Sequence, residues 1–120
     1  MSRKILLIDD NEEYRESLKN FISSMFPDSE VEEASSTDEG LKKARDGNYE
    51  FILTDKDLED KYGTRGGIHL SKTLRKEGYS KKIILHSAAL TDEDKKELKE
   101  VGVDSCKKLD ISQKLRQILK

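Results

Sequence analysis

Apolar residues in this chain fall into two alternating arrangements. Short continuous runs occur at Ile5-Leu6-Leu7-Ile8, at Phe51-Ile52-Leu53 and at Ile83-Ile84-Leu85. Runs of this length, closed by polar turn formers, suit strands buried on both faces of a parallel sheet. Between the runs, apolar residues thin to helical spacing: Tyr14, Leu18, Phe21, Ile22 and Met25, then Leu41 and Ala44, then Ile68, Leu70 and Leu74. Leu98 with Val101, and Ile111, Leu115, Ile118 and Leu119, continue that spacing to the C-terminus. Two weaker segments complete the series: Glu30–Ala34, expected as an edge strand, and Val103–Lys108, the least hydrophobic strand.

Local signals mark where the helices start and stop. Asn11 stands as an N-cap before Glu12 and Glu13, whose charge suits a helix N-terminus. Ser36 with Glu39 has the spacing of a capping box, and Gly47 ends that short helix. Gly78 ends the third helix, Thr91 precedes the acidic turn Asp92-Glu93-Asp94, Gly102 closes the fourth helix, and Asp110 is the expected cap of the fifth. The order is therefore βα five times over. Such alternation builds an α/β, doubly wound, five-stranded parallel sheet through right-handed crossovers. One connection is long for a strand-to-helix loop: Leu58 to Gly67, polar and glycine-rich.

Composition narrows the function classes. With 120 residues the chain suits a single domain, residues 1–120. Charged residues make up 40%, yet 23 basic and 25 acidic side chains nearly cancel to −2. That balance provides no basic field for nucleic acid and no polybasic patch for a membrane. The lone Cys106 precludes an internal disulfide, and the N-terminal apolar run is too short for a signal peptide or a span. The expected location is cytoplasmic.

The chemistry lies at strand ends. Asp9 and Asp10 follow the first strand, and Asp55 and Asp57 follow the third. In open α/β sheets ligands bind outside the carboxyl ends of the strands. Several carboxylates in one pocket repel unless a cation sits among them, and all-oxygen ligation suits Mg²⁺, with Mn²⁺ as the alternative. Ser87 follows the fourth strand, and Lys107 and Lys108 end the fifth. A cation, a hydroxyl and an ammonium around one carboxylate can hold a phosphoryl group, with Asp55 as nucleophile. A set of helix caps is the competing structural reading of these acids.

These pieces together resemble a response-regulator receiver domain of two-component signalling, of the chemotaxis-regulator type, over essentially the whole chain. The resemblance rests on Ile5 to Asp10, Phe51 to Asp55, Gly67 opening the third helix, Ile83 to Ala88, and Gly102-Val103-Asp104 before the lysine strand. It implies a flavodoxin-like fold with strand order 2-1-3-4-5. It also implies that Asp55 accepts a phosphoryl group from a histidine kinase or histidine phosphotransfer protein. Asp10 is implied as a direct Mg²⁺ ligand, Asp9 as acting largely through water, and Asp57 as giving a backbone carbonyl to the metal. Ser87 stands in the place of the switch hydroxyl, and the Asp57 side chain and Ala89 stand where dephosphorylation is tuned. A downstream protein partner would use the surface of the fourth helix, fifth strand and fifth helix. Such a domain catalyses its own phosphorylation and dephosphorylation rather than acting as a conventional enzyme.

The chain departs from the family in four places. Leu109 occupies the usual lysine position, so a one-residue shortening puts Lys108 in the role, with Lys107 as runner-up. No proline follows that lysine, and the loop after Asp55 carries Leu58-Glu59 in place of a Met-Pro pair. Cys106 replaces the aromatic switch residue. Two other functions compete: a binding-only pseudo-receiver, and a haloacid-dehalogenase-like phosphohydrolase using Asp55-Lys56-Asp57 as its two-aspartate motif. Of the two histidines, His69 is expected on the surface, and His86 in the core with its hydrogen bonds satisfied.

Overall fold

The computed structural model describes residues 3–58 and 60–118; Glu59 of the long loop and Leu119, expected on the last helix, lie outside them. Five strands alternate with five helices: β1 (Arg3–Ile8), α1 (Glu12–Met25), β2 (Ser29–Ala34), α2 (Thr37–Asp46) and β3 (Phe51–Asp55). They continue as α3 (Gly66–Lys76), β4 (Lys82–Ser87), α4 (Asp92–Glu100), β5 (Asp104–Lys107) and α5 (Ile111–Ile118). The strands form one parallel sheet in the order β2-β1-β3-β4-β5. This is the flavodoxin-like order, and β2 is an edge strand paired only with β1.

Strand alternation divides the core into two layers. Ile5, Leu7, Phe51, Leu53 and Ile84 face α1 and α5, where they meet Leu18, Ile22, Ile111 and Leu115. Leu6, Ile8, Ile52, Ile83 and Leu85 face the other way, onto Leu41, Ile68, Leu70, Leu74 and Leu98 of α2, α3 and α4. Each such aliphatic side chain contributes about 1.5–3 kcal/mol by leaving water. Two full layers therefore hold a chain whose surface is dominated by charge.

Most helix starts follow the local signals. Asn11 Oδ1 accepts the Tyr14 amide at 2.9 Å, and Thr91 with Asp94 completes a reciprocal capping box at the start of α4. The Ser36 hydroxyl accepts the Glu39 amide at 3.1 Å, but the Glu39 carboxylate bonds to the backbone N–H of Ser35 rather than of Ser36. Strand β5 ends earlier than expected. Lys108–Asp110 form a short 3-10 turn that leads directly into α5, and Asp110 is part of this turn rather than a separate cap. Leu109 is displaced to the surface, 93% exposed.

The long loop is folded against α2. Asp60 accepts the Thr37 amide at 2.7 Å and the Tyr62 amide at 3.0 Å, so one carboxylate caps the start of α2 and its own turn. Leu58 is buried in the core layer below, and Gly63 takes the left-handed conformation at φ 62°. Exposed His69 stacks on Tyr62 with ring centroids 4.2 Å apart.

Candidate functional site at the carboxyl edge of the sheet

The side-chain alternation that builds the α1/α5 layer carries on past the apolar residues. Ile5 and Leu7 lead to Asp9, Phe51 and Leu53 lead to Asp55, and Ile84 leads to His86. Register pairs Ile5 with Phe51, Asp55 with His86, and His86 with Cys106, so these side chains lie side by side at one edge. Asp9 is fully buried and Asp55 is 4% exposed. Lys108 reaches both, with Nζ 3.4 Å from Asp55 Oδ2 and 3.5 Å from Asp9 Oδ2. Lys107, at the end of β5, is exposed.

Burial and crowding set the charge state of the acids. Burial pushes the Asp55 carboxyl up to about 6, the neighbouring Asp9 charge adds to the rise, and Lys108 opposes it. Asp9 is likewise raised, chiefly by burial, although its Oδ1 accepts the Asn11 amide at 2.9 Å. Its Oδ2 has no hydrogen-bond partner among the described residues. Two unit charges 4 Å apart repel by about 4 kcal/mol at an effective dielectric of 20. One ammonium shared between two buried carboxylates relieves only part of that. The donor set is therefore suited to an added hard cation: two buried carboxylates sharing one ammonium, an Asp9 oxygen with no hydrogen bond among the described residues, and Asp10 partly exposed at the rim.

Two neighbours were not evident from sequence as site residues. Tyr14 covers the edge from the first turn of α1, its ring 4.3 Å below the Lys108 ammonium and 5.4 Å from the His86 ring. Its spacing one helical step after the Asn11 cap was the available signal. Burial raises its phenol well above the usual range, and its hydroxyl makes no hydrogen bond among the described residues. His86 is buried as expected, but neither ring nitrogen is hydrogen-bonded among the described residues. Burial, helped by Lys108, pushes its pKa down to about 3, leaving a neutral imidazole.

The remaining expected residues surround Asp55 at greater remove. Asp57 sits on the rim, and its backbone amide hydrogen-bonds to Asp55, drawing the carboxyl partly back down. Ser87 is buried at the end of β4, but its hydroxyl donates to the Ala89 carbonyl at 2.8 Å and accepts the Ala89 amide at 3.2 Å. Cys106 is half-buried in the α1/α5 layer, where burial raises its thiol pKa. Gly67 packs its backbone against the Asp55 carbonyl so closely that a Cβ would lie 2.1 Å from that oxygen. Lys56, directly after Asp55, turns away to pair with Asp94 of α4 at 3.5 Å, and Asp94 also takes Arg65 at 2.9 Å.

Comparison with known proteins identifies the family and the fold. The family model for the response regulator receiver domain matches residues 5–119, and the chain belongs to that family. It is thereby a receiver domain of two-component signalling. A CheY-like receiver domain protein from Methanospirillum hungatei JF-1 superposes with a TM-score of 0.83 at 24% identity, covering 99% of this chain and 94% of that one. The Thermotoga maritima response regulator TrrA, solved in complex with Mg(2+)-BeF, superposes with a TM-score of 0.79 at 22% identity, over 97% of this chain and 96% of its own. Over 55 residues the chain is 42% identical to protein y4jR of Sinorhizobium fredii, covering 46% of this chain. It spans about a third of that curated relative's length, 36%. No helix among the described residues is long and apolar enough to cross a membrane.

Proposed function

We propose that residues 1–120 act as a phospho-accepting receiver in which Asp55 takes a phosphoryl group from the phosphohistidine of a kinase or phosphotransfer protein. The observation that carries this reading is the position of the Asp55 carboxylate, buried between Asp9 and the Lys108 ammonium at the end of β3. An Asp55 oxygen attacks phosphorus as the P–N bond of the donor breaks, and the electron pair leaves with the donor imidazole. Transfer of this kind needs little from the protein beyond alignment and neutralised charge. Lys108 is placed to pair with a phosphoryl oxygen, and Gly67 leaves the Asp55 backbone closely supported. Asp9, Asp10 and Asp55, with the Asp57 carbonyl, would hold Mg²⁺, which supplies charge neutralisation when bound; Mn²⁺ offers the same oxygen chemistry.

The switch follows from Ser87. Its hydroxyl now bonds to Ala89, and a phosphoryl group on Asp55 offers it a stronger, charged acceptor. Exchange of one for the other moves the β4–α4 connection, which biases two conformers of the α4–β5–α5 surface toward a downstream protein. The cytoplasm is the compartment this reading requires.

The test is incubation with a small-molecule phosphodonor and Mg²⁺, followed by mass spectrometry. One phosphoryl group is expected on the wild-type chain and none on Asp55→Asn. No incorporation, with partner binding indifferent to Asp55→Asn, would make the domain a binding-only pseudo-receiver.

A further inference from the structure

His86 is the group at this edge that phosphoryl transfer leaves unused. It is fully buried on β4, in register with Asp55 and on the same face as Asp9. An aliphatic side chain there would simply continue the Ile84 column. The imidazole instead brings two nitrogens out of water with no hydrogen bond among the described residues to replace those lost. Beside it, Asp9 Oδ2 is also buried without a hydrogen bond. One ligand atom from each of Asp9, Asp55 and His86 lies within 4.8 Å of the others.

We propose that Asp9, Asp55 and His86 form a mixed carboxylate–imidazole site for a borderline divalent cation, with Zn²⁺ as its representative. Magnesium takes oxygen ligands, whereas a neutral imidazole suits zinc and its neighbours in the first transition row. Three protein ligands leave a fourth position open to water, the composition of an open zinc site. Ligand atoms around tetrahedral zinc stand roughly 3.4 Å apart, from bond lengths near 2.1 Å. The present spacing, within 4.8 Å, must tighten by at most about 1.4 Å to reach that value. Lys108 is the competing cation. It is held at 3.4 and 3.5 Å, and with 27% of its side chain exposed it can withdraw into solvent.

The outer shell bounds the affinity. Ligating histidines usually donate their second ring N–H to a carboxylate or carbonyl, and no such acceptor is in place for His86. The missing partner costs about 10- to 100-fold in affinity, so zinc is expected to bind reversibly rather than as a permanent structural ion. The proposal does not depend on phosphoryl transfer at Asp55. If that transfer occurs, zinc and a phosphoryl group exclude each other, because both need the same carboxylate.

The experiment is a titration of the full chain with Zn²⁺ and, separately, with Mg²⁺, followed by calorimetry. One zinc per chain is expected, and His86→Leu should weaken zinc by about tenfold or more. The same substitution should leave Mg²⁺ affinity and phosphodonor labelling of Asp55 within about twofold, since the Mg²⁺ donors are oxygens. His69→Gln and Cys106→Ser, which remove the other soft donors, should leave zinc affinity unchanged. Should His86→Leu fold poorly, wild-type protein answers the question: a His86 ring ¹⁵N resonance shifts on zinc addition, and Co²⁺ develops a visible spectrum with nitrogen ligation. Equal zinc affinity in His86→Leu, an unmoved His86 resonance, or loss of zinc on either control substitution would overturn the proposal.

Discussion

Asp55 binds its proton more tightly in the folded chain than in the unfolded one, because burial and the Asp9 charge lift its carboxyl to about 6 from 3.8. Between those two values the folded state holds more protons than the unfolded state, so stability falls as pH rises through the window. Above about 6 the destabilisation is complete, and below the unfolded value it is gone. At 1.36 kcal/mol per unit, the ionised carboxylate costs at most about 3 kcal/mol, less what residual solvent screens. Asp55→Asn should therefore be more stable than wild type at pH 7.5 without divalent ions, by about 1–2 kcal/mol. The gap should shrink toward zero at pH 4, as read by urea denaturation at both pH values. Mg²⁺ should close it from the other side at pH 7.5 by stabilising the wild type alone, since binding only the folded state adds stability by mass action. A gap independent of pH would mean that Asp55 is not the strained acid of the site.

Among the elements, the loop from β3 to α3 carries the tightest constraint. A Cβ added at Gly67 would lie 2.1 Å from the Asp55 carbonyl oxygen and 2.8 Å from the Lys56 Cα, backbone atoms at and just after the end of the strand that presents the acid. Neither can move aside, so Gly67→Ala must push α3 off the sheet and is expected to cost about 3 kcal/mol, at the upper end of overpacking. Gly63→Ala, in open space at φ 62°, should cost only the left-handed penalty of about 1–2 kcal/mol. Denaturant midpoints of the two variants check the contrast. The same loop shows where sequence reasoning ran out. Asn11, Thr91 and the strand runs were legible because their partners lie within a few residues. Asp60 was not, because the amide it caps belongs to Thr37, 23 residues away on another element. Glu39 kept the capping-box spacing yet bonded to Ser35, a difference of one residue that spacing alone does not resolve. At the site, the acids were legible as strand-end residues, and the side-by-side row with His86 and Tyr14 was not, since it depends on register across strands.

Across the molecule, a chain of ion pairs links the acid-bearing edge to the face proposed for the partner. Lys56 pairs with Asp94, Asp94 with Arg65, Arg65 with Glu97, and Glu97 with Lys72, joining the end of β3 to α3 and α4. Surface pairs such as Arg45 with Glu77 are screened by water and contribute little. Lys56 and Asp94 differ because their side chains are only 14% and 4% exposed, so their charges are poorly screened. Burial alone would raise Asp94, but its Thr91 hydrogen bonds and the Lys56 charge hold it below the usual carboxylate range. Lys56→Met should then leave Asp94 buried with one cation fewer, at a cost of about 1–3 kcal/mol. That cost should fall on one element rather than on the whole fold. Hydrogen exchange is expected to quicken for amides of Asp92–Glu100 while those of α1 and α5 keep their protection, because the ion pair of Lys56 is with Asp94 of α4. Uniform loss of protection would instead make the link a general stabiliser, with no special hold on α4. A selective loss would identify Lys56, the residue after the proposed phospho-acceptor, as the charge through which that strand end steadies α4.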